Sequence, residues 1–217
     1  MPEPSHLSAT RATYDIVAAD YAALVPGLSA ETAVDRAVLA AFAELVHEAG
    51  GGPVADLGCG PGRLTAHLHS LGVSAFGVDL SPQMVAVARL TYPLLRFEEG
   101  SITALDIGDG ALAGALAWYS IIHTPPEQMP TVLAEFHRVL APGGHLLVGF
   151  QVGDGLRHLS NAYGHDVSCD AYLLSPDRMA DLMGAAGLVV SARLVREARG
   201  REKTPQAALL ARKPTEP

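Results

Sequence analysis

The apolar positions along the chain change their period more than once, and those changes mark out the architecture. From Thr10 to Leu24, Tyr14, Val17, Ala18 and Tyr21 recur at helical spacing. A second helical stretch from Ala30 to Ala49 carries Val34, Ala37, Val38, Ala41, Leu45 and Val46. Pro26-Gly27 ends the first and Gly50-Gly51-Gly52-Pro53 the second. Short apolar runs then alternate with helical ones. Strands are predicted at Val54–Leu57, Ser74–Asp79, Leu95–Glu99, Ala113–Tyr119 and His145–Gln151, and helices at Arg63–Leu71, Gln83–Leu90 and Met129–Leu140. Such alternation implies right-handed crossovers and a doubly wound, mostly parallel sheet covered on both faces.

Residues 153–172 break the rhythm: they are rich in Gly, His and Asp, show no clean period, and read as a lid over a site. Ser175-Pro176-Asp177 opens a helix to about Ala186, with serine as the cap, proline in the first turn and an acid near the positive helix end. Leu188–Glu197 and Gln206–Arg212 read as a terminal antiparallel hairpin around the polar stretch Ala198–Pro205. Residues 1–9 and 213–217 read as loose ends. The expected organisation is one domain, 1–217: a helical cap over 1–50, a ligand-binding core over 53–152, a lid over 153–174, and a helix with hairpin over 175–217.

Composition narrows the classes of function. Hydrophobic residues make up 49% of the chain and charged residues 18%, which suits a packed core and not a disordered segment. The net charge is -8, with no cluster of Lys and Arg, so a nucleic-acid partner is disfavoured. Cys59 and Cys169 make no disulfide framework, and Met1-Pro2-Glu3-Pro4 has neither a basic region nor an apolar run. The expectation is a cytoplasmic protein with no membrane partner, and a homodimer is left open.

The chemistry-bearing segment is Asp56-Leu57-Gly58-Cys59-Gly60-Pro61-Gly62-Arg63, which joins the first parallel strand to a helix. Glycines at these positions permit a tight turn and close approach of a ligand to the backbone. A nicotinamide-dinucleotide site would place its third glycine at Arg63, where a large cation stands instead. Asp56 would repel a pyrophosphate but bind an ammonium. Asp79, at the end of the second strand, suits either an acid that holds ribose hydroxyls or a plain helix-entry carboxylate. The ligand reads as a nucleoside with an amino-acid tail.

Three runs together carry a family resemblance: Asp56 to Gly62, then Gly77-Val78-Asp79-Leu80-Ser81, then Arg138-Val139-Leu140-Ala141-Pro142-Gly143-Gly144. They resemble the class I S-adenosylmethionine (SAM) dependent methyltransferase family, over about residues 10–212. The resemblance implies a Rossmann-like methyltransferase fold, with SAM as cofactor and S-adenosylhomocysteine as its product. It places Gly58, Cys59, Gly60 and Gly62 around the cofactor's methionine and ribose, with Asp56 beside them and Asp79 on the ribose diol. Leu80 and Met84 would pack near the adenine, and Gly100-Ser101-Ile102 would meet its ring and amino group. The family often has Asp where Ser101 stands. Tyr14 and Tyr21 match a pair of cap aromatics near the methionine end, or else are core-facing aromatics. Arg63 would reach the cofactor carboxylate or remain a solvated cation, and Tyr119 would form a wall of the site.

The candidate catalyst is His123, after the fourth strand at the carboxyl edge of the sheet: either a general base for an acceptor proton or a histidine that closes the loop. His158, His165 and Asp166 have no tight ligand spacing, so no metal is expected. The function implied is methyl transfer to an O, N or C nucleophile of a small molecule, of the kind found in secondary metabolism. The alternatives are a non-methylating SAM-binding protein, either a cyclase or a regulatory module, and, more distantly, a nicotinamide oxidoreductase.

Overall fold

The computed structural model describes residues 4–200 and 202–215. Two helices come first, α1 (Ser5–Leu24) and α2 (Ala33–Glu48). The alternating part follows as β1 (Pro53–Leu57), α3 (Arg63–Ser70), β2 (Ser74–Asp79), α4 (Pro82–Thr91), β3 (Phe97–Glu99), β4 (Leu112–Trp118), a single 3-10 turn at Ile121–His123, α5 (Met129–Val139) and β5 (Leu140–Gln151). The chain closes with β6 (Gly155–Ala162), β7 (His165–Leu173), α6 (Pro176–Ala185), β8 (Val189–Arg196) and β9 (Gln206–Arg212).

Seven strands form one sheet in the order β3-β2-β1-β4-β5-β9-β8. Strands β1 to β5 are mutually parallel, and β9 runs antiparallel to both β5 and β8. The doubly wound sheet and the terminal hairpin expected from the sequence are both present. Successive residues of the central strands feed opposite faces, as a strand's period of two requires. Val54, Leu116 and Leu147 pack under α2 and α3 with Leu39, Phe42 and Leu68. Ala55, Ala115 and Val148 pack under α5 and α6 with Phe136 and Met183. Both faces of the central strands are buried, which explains their nearly continuous apolar sequence.

Side-chain caps fix where helices start. Thr32 and Asp35 form a reciprocal capping box, so α2 begins at Ala33 and not at Ala30. Ser81 caps α4 through Met84 N–H, and Ser175 caps α6 through Arg178 N–H. Arg138, from the third sequence motif, is structural. It pairs with Asp109 and Glu135 and donates to the carbonyls of Leu105 and Ile107, binding the loop after β3 to α5.

Two expectations are corrected. Residues Ser5–Ala9 belong to α1 and are not a loose end; residues 1–3, 216 and 217 lie outside the described residues. Residues 153–172 are not irregular: β6 and β7 form a separate two-stranded antiparallel sheet. Its two-residue turn is Tyr163-Gly164, both at positive φ (53° and 87°), the backbone that suits the twist of a hairpin. The inward positions of β7, Val167, Cys169 and Ala171, alternate with polar ones. The tyrosine in the turn hid the signal that an Asn-Gly pair would have announced.

The glycines of the β1–α3 turn play unlike parts. Gly62 has φ +82°, and a Cβ there would lie 2.6 Å from the Phe97 ring. At Gly60, with φ +54°, a Cβ would meet nothing nearer than Met84 Sδ at 3.9 Å. Gly62→Ala is therefore expected to lower stability by about 2–4 kcal/mol, from backbone strain and overpacking together. Gly60→Ala is expected to cost only about 1–2 kcal/mol, from the backbone alone. Urea unfolding of the two variants checks the order; a Gly60→Ala protein less stable than Gly62→Ala would contradict it.

Candidate functional site

The sheet changes direction of winding between β1 and β4, and clefts form at the carboxyl edge of such a switch point. Here the turn after β1 is pressed into that edge. Gly58 N–H and Cys59 N–H both donate to the Val78 carbonyl, at 2.7 and 3.1 Å. Gly58 has φ +80°, and a Cβ on it would fall 2.2 Å from Ser120 Cβ, so only glycine lets the turns after β1 and β4 meet. The Asp79 carboxylate spans the next gap. Its Oδ2 accepts from Gly60 N–H at 2.7 Å and its Oδ1 from Ser81 N–H at 2.9 Å.

A cavity of about 970 Å³ runs along this edge, large enough for a nucleoside-sized ligand and a second molecule. At one end it is lined by Asp79, Leu80, Met84, Gly100, Ser101 and Ile102, and around the turn by Asp56, Gly58, Cys59, Gly60 and Arg63. Tyr14, Tyr21, Tyr119 and His123 cover its middle. The structure thus brings together the predicted site residues, with one exception. Gly62 does not line the cavity but faces Phe97 and Ala88, where it lets α3 start close against α4.

Two carboxylates are desolvated at the cavity wall. Burial pushes Asp56 up to about 6, although Thr65 Oγ1 donates to it at 2.7 Å. Burial likewise pushes Asp79 up to about 6 against the lowering effect of its two backbone donors. Arg63 is not a free cation: its guanidinium pairs with Glu31, which is itself buried. Cys59 is a packing residue. Its Sγ lies where a Cβ on Gly77 would be, 2.6 Å away, and burial pushes its thiol well up from the ordinary range. Tyr119 sits at φ 60°, a left-handed backbone unusual for tyrosine, with its ring edge-on to Trp118. The neighbouring Ser120 hydroxyl is buried without a hydrogen-bond partner.

Helix α1 is pinned across the site. Arg11 Nε donates to the Leu80 carbonyl at 3.1 Å, and Asp15 Oδ1 accepts from Ser81 Oγ at 2.6 Å. Tyr14, between them in sequence, is thereby aimed at His123. Its hydroxyl lies 2.8 Å from His123 Nε2, and the two rings meet edge to face with centroids 5.4 Å apart. His123 Nδ1 lies 2.7 Å from the Asp170 carbonyl on β7. A carbonyl can only accept, so Nδ1 carries the proton and Nε2 is the acceptor for Tyr14 O–H. Burial lowers the His123 pKa and raises that of Tyr14 well above its ordinary value, so both are neutral near pH 7.

The other lid groups are dispersed. His158 pairs with Asp170, His165 with Asp20 on α1, and among the described residues no three such groups gather as for a metal. The cavity wall also includes residues that sequence reasoning did not single out. Arg157, Leu159 and Asn161 share one face of β6, and Gln151, Arg196 and Gln206 stand at the ends of β5, β8 and β9. The alternation of β6 would have shown the first group, had the hairpin been recognised. The second comes together only through strand order. Among the described residues, no helix is long and apolar enough to cross a membrane.

Comparison with known proteins agrees with this geometry. Residues 54–144 match the model of a methyltransferase domain. The chain is similar to a demethylmenaquinone methyltransferase of Chlorobaculum parvum, 35% identical over 92 residues, which cover 42% of this chain and 37% of that protein. It is similar to protein-L-isoaspartate O-methyltransferase 1 of Anaeromyxobacter, 32% identical over 158 residues, covering 69% of this chain and 70% of that one. Among solved structures, the [4+2]-cyclase SpnF superposes with a TM-score of 0.71 at 18% identity, covering 100% of this chain and 99% of that one, a likeness of fold. Several of the curated relatives are matched over less than half of their own length. The matched domain, the two-thirds coverage of an Anaeromyxobacter methyltransferase and the strand order together place this chain in the class I SAM-dependent methyltransferase family.

Proposed function

We propose that the chain binds SAM along the glycine turn and transfers its methyl group to a small-molecule O, N or C acceptor in the rest of the cavity. The observation that carries this reading is a neutral Tyr14–His123 pair set into the same cavity as the glycine turn and the Asp79 carboxylate. The residues present fit the cofactor. The space beside Gly60 would be filled by a Cβ, and Asp79 is a desolvated carboxylate with room for further donors. In this reading Asp79 accepts the ribose hydroxyls, Asp56 and Tyr21 attend the amino-acid tail, and Leu80, Met84 and Ile102 enclose the adenine. SAM supplies a methyl group on a sulfonium, already activated for displacement.

What the chain itself contributes is alignment and a route for a proton. An acceptor O–H or N–H against the Tyr14 oxygen passes its proton there as the proton of Tyr14 moves to His123 Nε2. Neither phenolate nor imidazolium is populated beforehand, because burial disfavours both charges. The Asp170 carbonyl holds the ring in the tautomer this needs and stabilises the imidazolium that forms. Fold alone does not separate methyl transfer from a non-methylating reaction, since a cyclase shares the architecture. The Tyr14–His123 route is what favours methyl transfer, and release of S-adenosylhomocysteine with a methylated product decides between the two.

Calorimetry is expected to show SAM and S-adenosylhomocysteine competing for one site. Asp79→Ala should weaken both by about 1.5–3 kcal/mol, the value of hydrogen bonds to a charged acceptor. Binding of neither by the wild-type protein would refute the proposal.

Cofactor affinity should also depend on pH. Asp79 in the free protein is raised to about 6, so below that pH it is protonated and offers fewer acceptor sites. Affinity is expected to fall about tenfold per pH unit below 6 and to be flat above about 7. The same shift has a sign for stability: the raised pKa means that folding is less favoured once pH rises from about 4 through 6. A flat binding profile from pH 5 to 8 would contradict the assignment.

His123→Ala and Tyr14→Phe are each expected to lower single-turnover methyl transfer to an O or N acceptor by roughly two to four orders of magnitude. The double variant should be hardly worse than either, because the two act as one unit. SAM affinity should change little. Folded variants with undiminished transfer would show that the pair is structural.

A further inference from the structure

The cavity is longer than the segment assigned to the cofactor, and its far end has a distinct charge pattern. It continues past Tyr119 to the ends of β5, β9 and β8. There Gln151 pairs with Gln206 and Gln206 with Arg196 in the sheet register, so three long polar side chains stand in one rung. Arg199, Glu202, Lys203 and Thr204, between β8 and β9, line the cavity with it, as do Arg157, Leu159 and Asn161 of β6.

The carboxylates in this region are already matched. Glu31 is paired with Arg63. Asp35 and Glu202 both hold Arg196, the latter through two hydrogen bonds of 2.7 Å. Among the described residues at this end of the cavity, the side chains of three cations make no ion pair with a carboxylate: Arg157, and the exposed Arg199 and Lys203, although the Arg199 backbone N–H donates to Glu202. Arg157 is the telling one. It is half-buried, on the cavity-facing side of β6 with Leu159 and Asn161, and its one hydrogen bond goes to the neutral Gln151 Oε1 at 3.0 Å. Arg63 and Arg196, whose side chains are largely buried, each have a carboxylate. A guanidinium presents five donors in a planar fork, and the single bond to the Gln151 amide leaves the others open to an oxyanion entering the cavity. On a chain of net charge -8, three unmatched cations at one end of one cavity are a local reversal of sign.

We infer that the acceptor carries an oxyanion, a carboxylate or phosphate, remote from its nucleophile, and that Arg157 receives it in a forked contact while Arg199 and Lys203 add positive charge beside it. The inference rests on the proposed methyl transfer, because it takes the Tyr14 end of the cavity as the reacting end. It names the substrate class by its charge: an acidic small molecule, its acid group toward β6 and the β8–β9 loop and its nucleophile toward Tyr14. Leu159 and Tyr119 provide apolar wall between the two ends. The arrangement also gives a direction to binding, since a neutral analogue has no reason to enter one way round.

The test uses matched pairs of probes: phenols and anilines bearing a carboxylate or a phosphate, each beside the same molecule with a carboxamide or hydroxymethyl group. Binding is measured calorimetrically to the full chain saturated with S-adenosylhomocysteine, and SAM affinity is measured separately. At least one acid is expected to bind tenfold or more tightly than its neutral partner, more weakly at high salt. Arg157→Gln should abolish that preference while leaving SAM affinity unchanged, and Arg199→Ala with Lys203→Ala should reduce it. The carboxylate and phosphate arms show which oxyanion fits the fork. Equal binding of acids and neutral partners, failure of every acid to bind, or a preference that survives Arg157→Gln would overturn the inference. So would loss of SAM affinity in Arg157→Gln, which would assign the residue to the cofactor. A wild-type chain that does not bind SAM at all refutes the cofactor reading instead, and the two failures are thereby told apart.

Discussion

The site depends on one buried carboxylate bridging two turns. Asp79 takes the Gly60 amide on one oxygen and the Ser81 amide on the other, and so ties the turn after β1 to the start of α4. Both amides lie at helix approaches that have lost their intrahelical acceptors, and a carboxylate is the strongest acceptor a side chain can offer them. The same group lines the cavity, and burial pushes its pKa up to about 6, so the carboxylate that joins the turns is also presented to the cavity. Everything placed on either turn takes its position from this link. Gly58 is held against Ser120, Met84 is set under the cavity floor, and α1 is docked on Ser81 and Leu80.

Around that link, segments distant in sequence close the site from above. Tyr14 of α1, His123 of the turn after β4 and the Asp170 carbonyl of β7 make one hydrogen-bonded line. His165 at the hairpin end pairs with Asp20 of α1, and the Tyr21 and Tyr163 rings meet edge to face with centroids 5.0 Å apart. The cap and the hairpin therefore form a roof whose inner surface carries the polar chemistry, while the sheet edge beneath carries the turns. Positive φ at Tyr119 lies where roof and edge meet, and strained backbone of that kind gathers at sites that must place one side chain against a ligand.

Charge is sorted along the cavity. The unmatched carboxylates, Asp56 and Asp79, stand by the β1 and β2 ends, and the unmatched cations by the β5, β9 and β8 ends. The two carboxylates are buried, where a charge acts over a longer range than on the surface, whereas Arg157 is half-buried and Arg199 and Lys203 are exposed. Under the proposed function, a ligand cationic at one part and anionic at another is favoured in one orientation by this sorting of charge.

The amino-acid pattern by itself determined the alternating core, since strand and helix periods are local and the two glycine-bearing turns and Ser81 cap are written in adjacent residues. It also determined the glycine-turn side of the cavity, because Asp56, the glycines and Asp79 lie at the ends of successive strands that must be neighbours. Tertiary structure decided what depends on distant segments meeting. The histidine whose role two readings shared is placed by Tyr14, 109 residues away, and by a carbonyl 47 residues away, and no local pattern encodes either contact. Gly62 looked like its two neighbours in the turn until packing put Phe97 against it. The hairpin at 155–173 hid because its turn uses tyrosine, and with it hid Arg157. Periodicity reports which face a residue shares with its neighbours in sequence; which charges are left without partners is known only once every segment has been brought to its place.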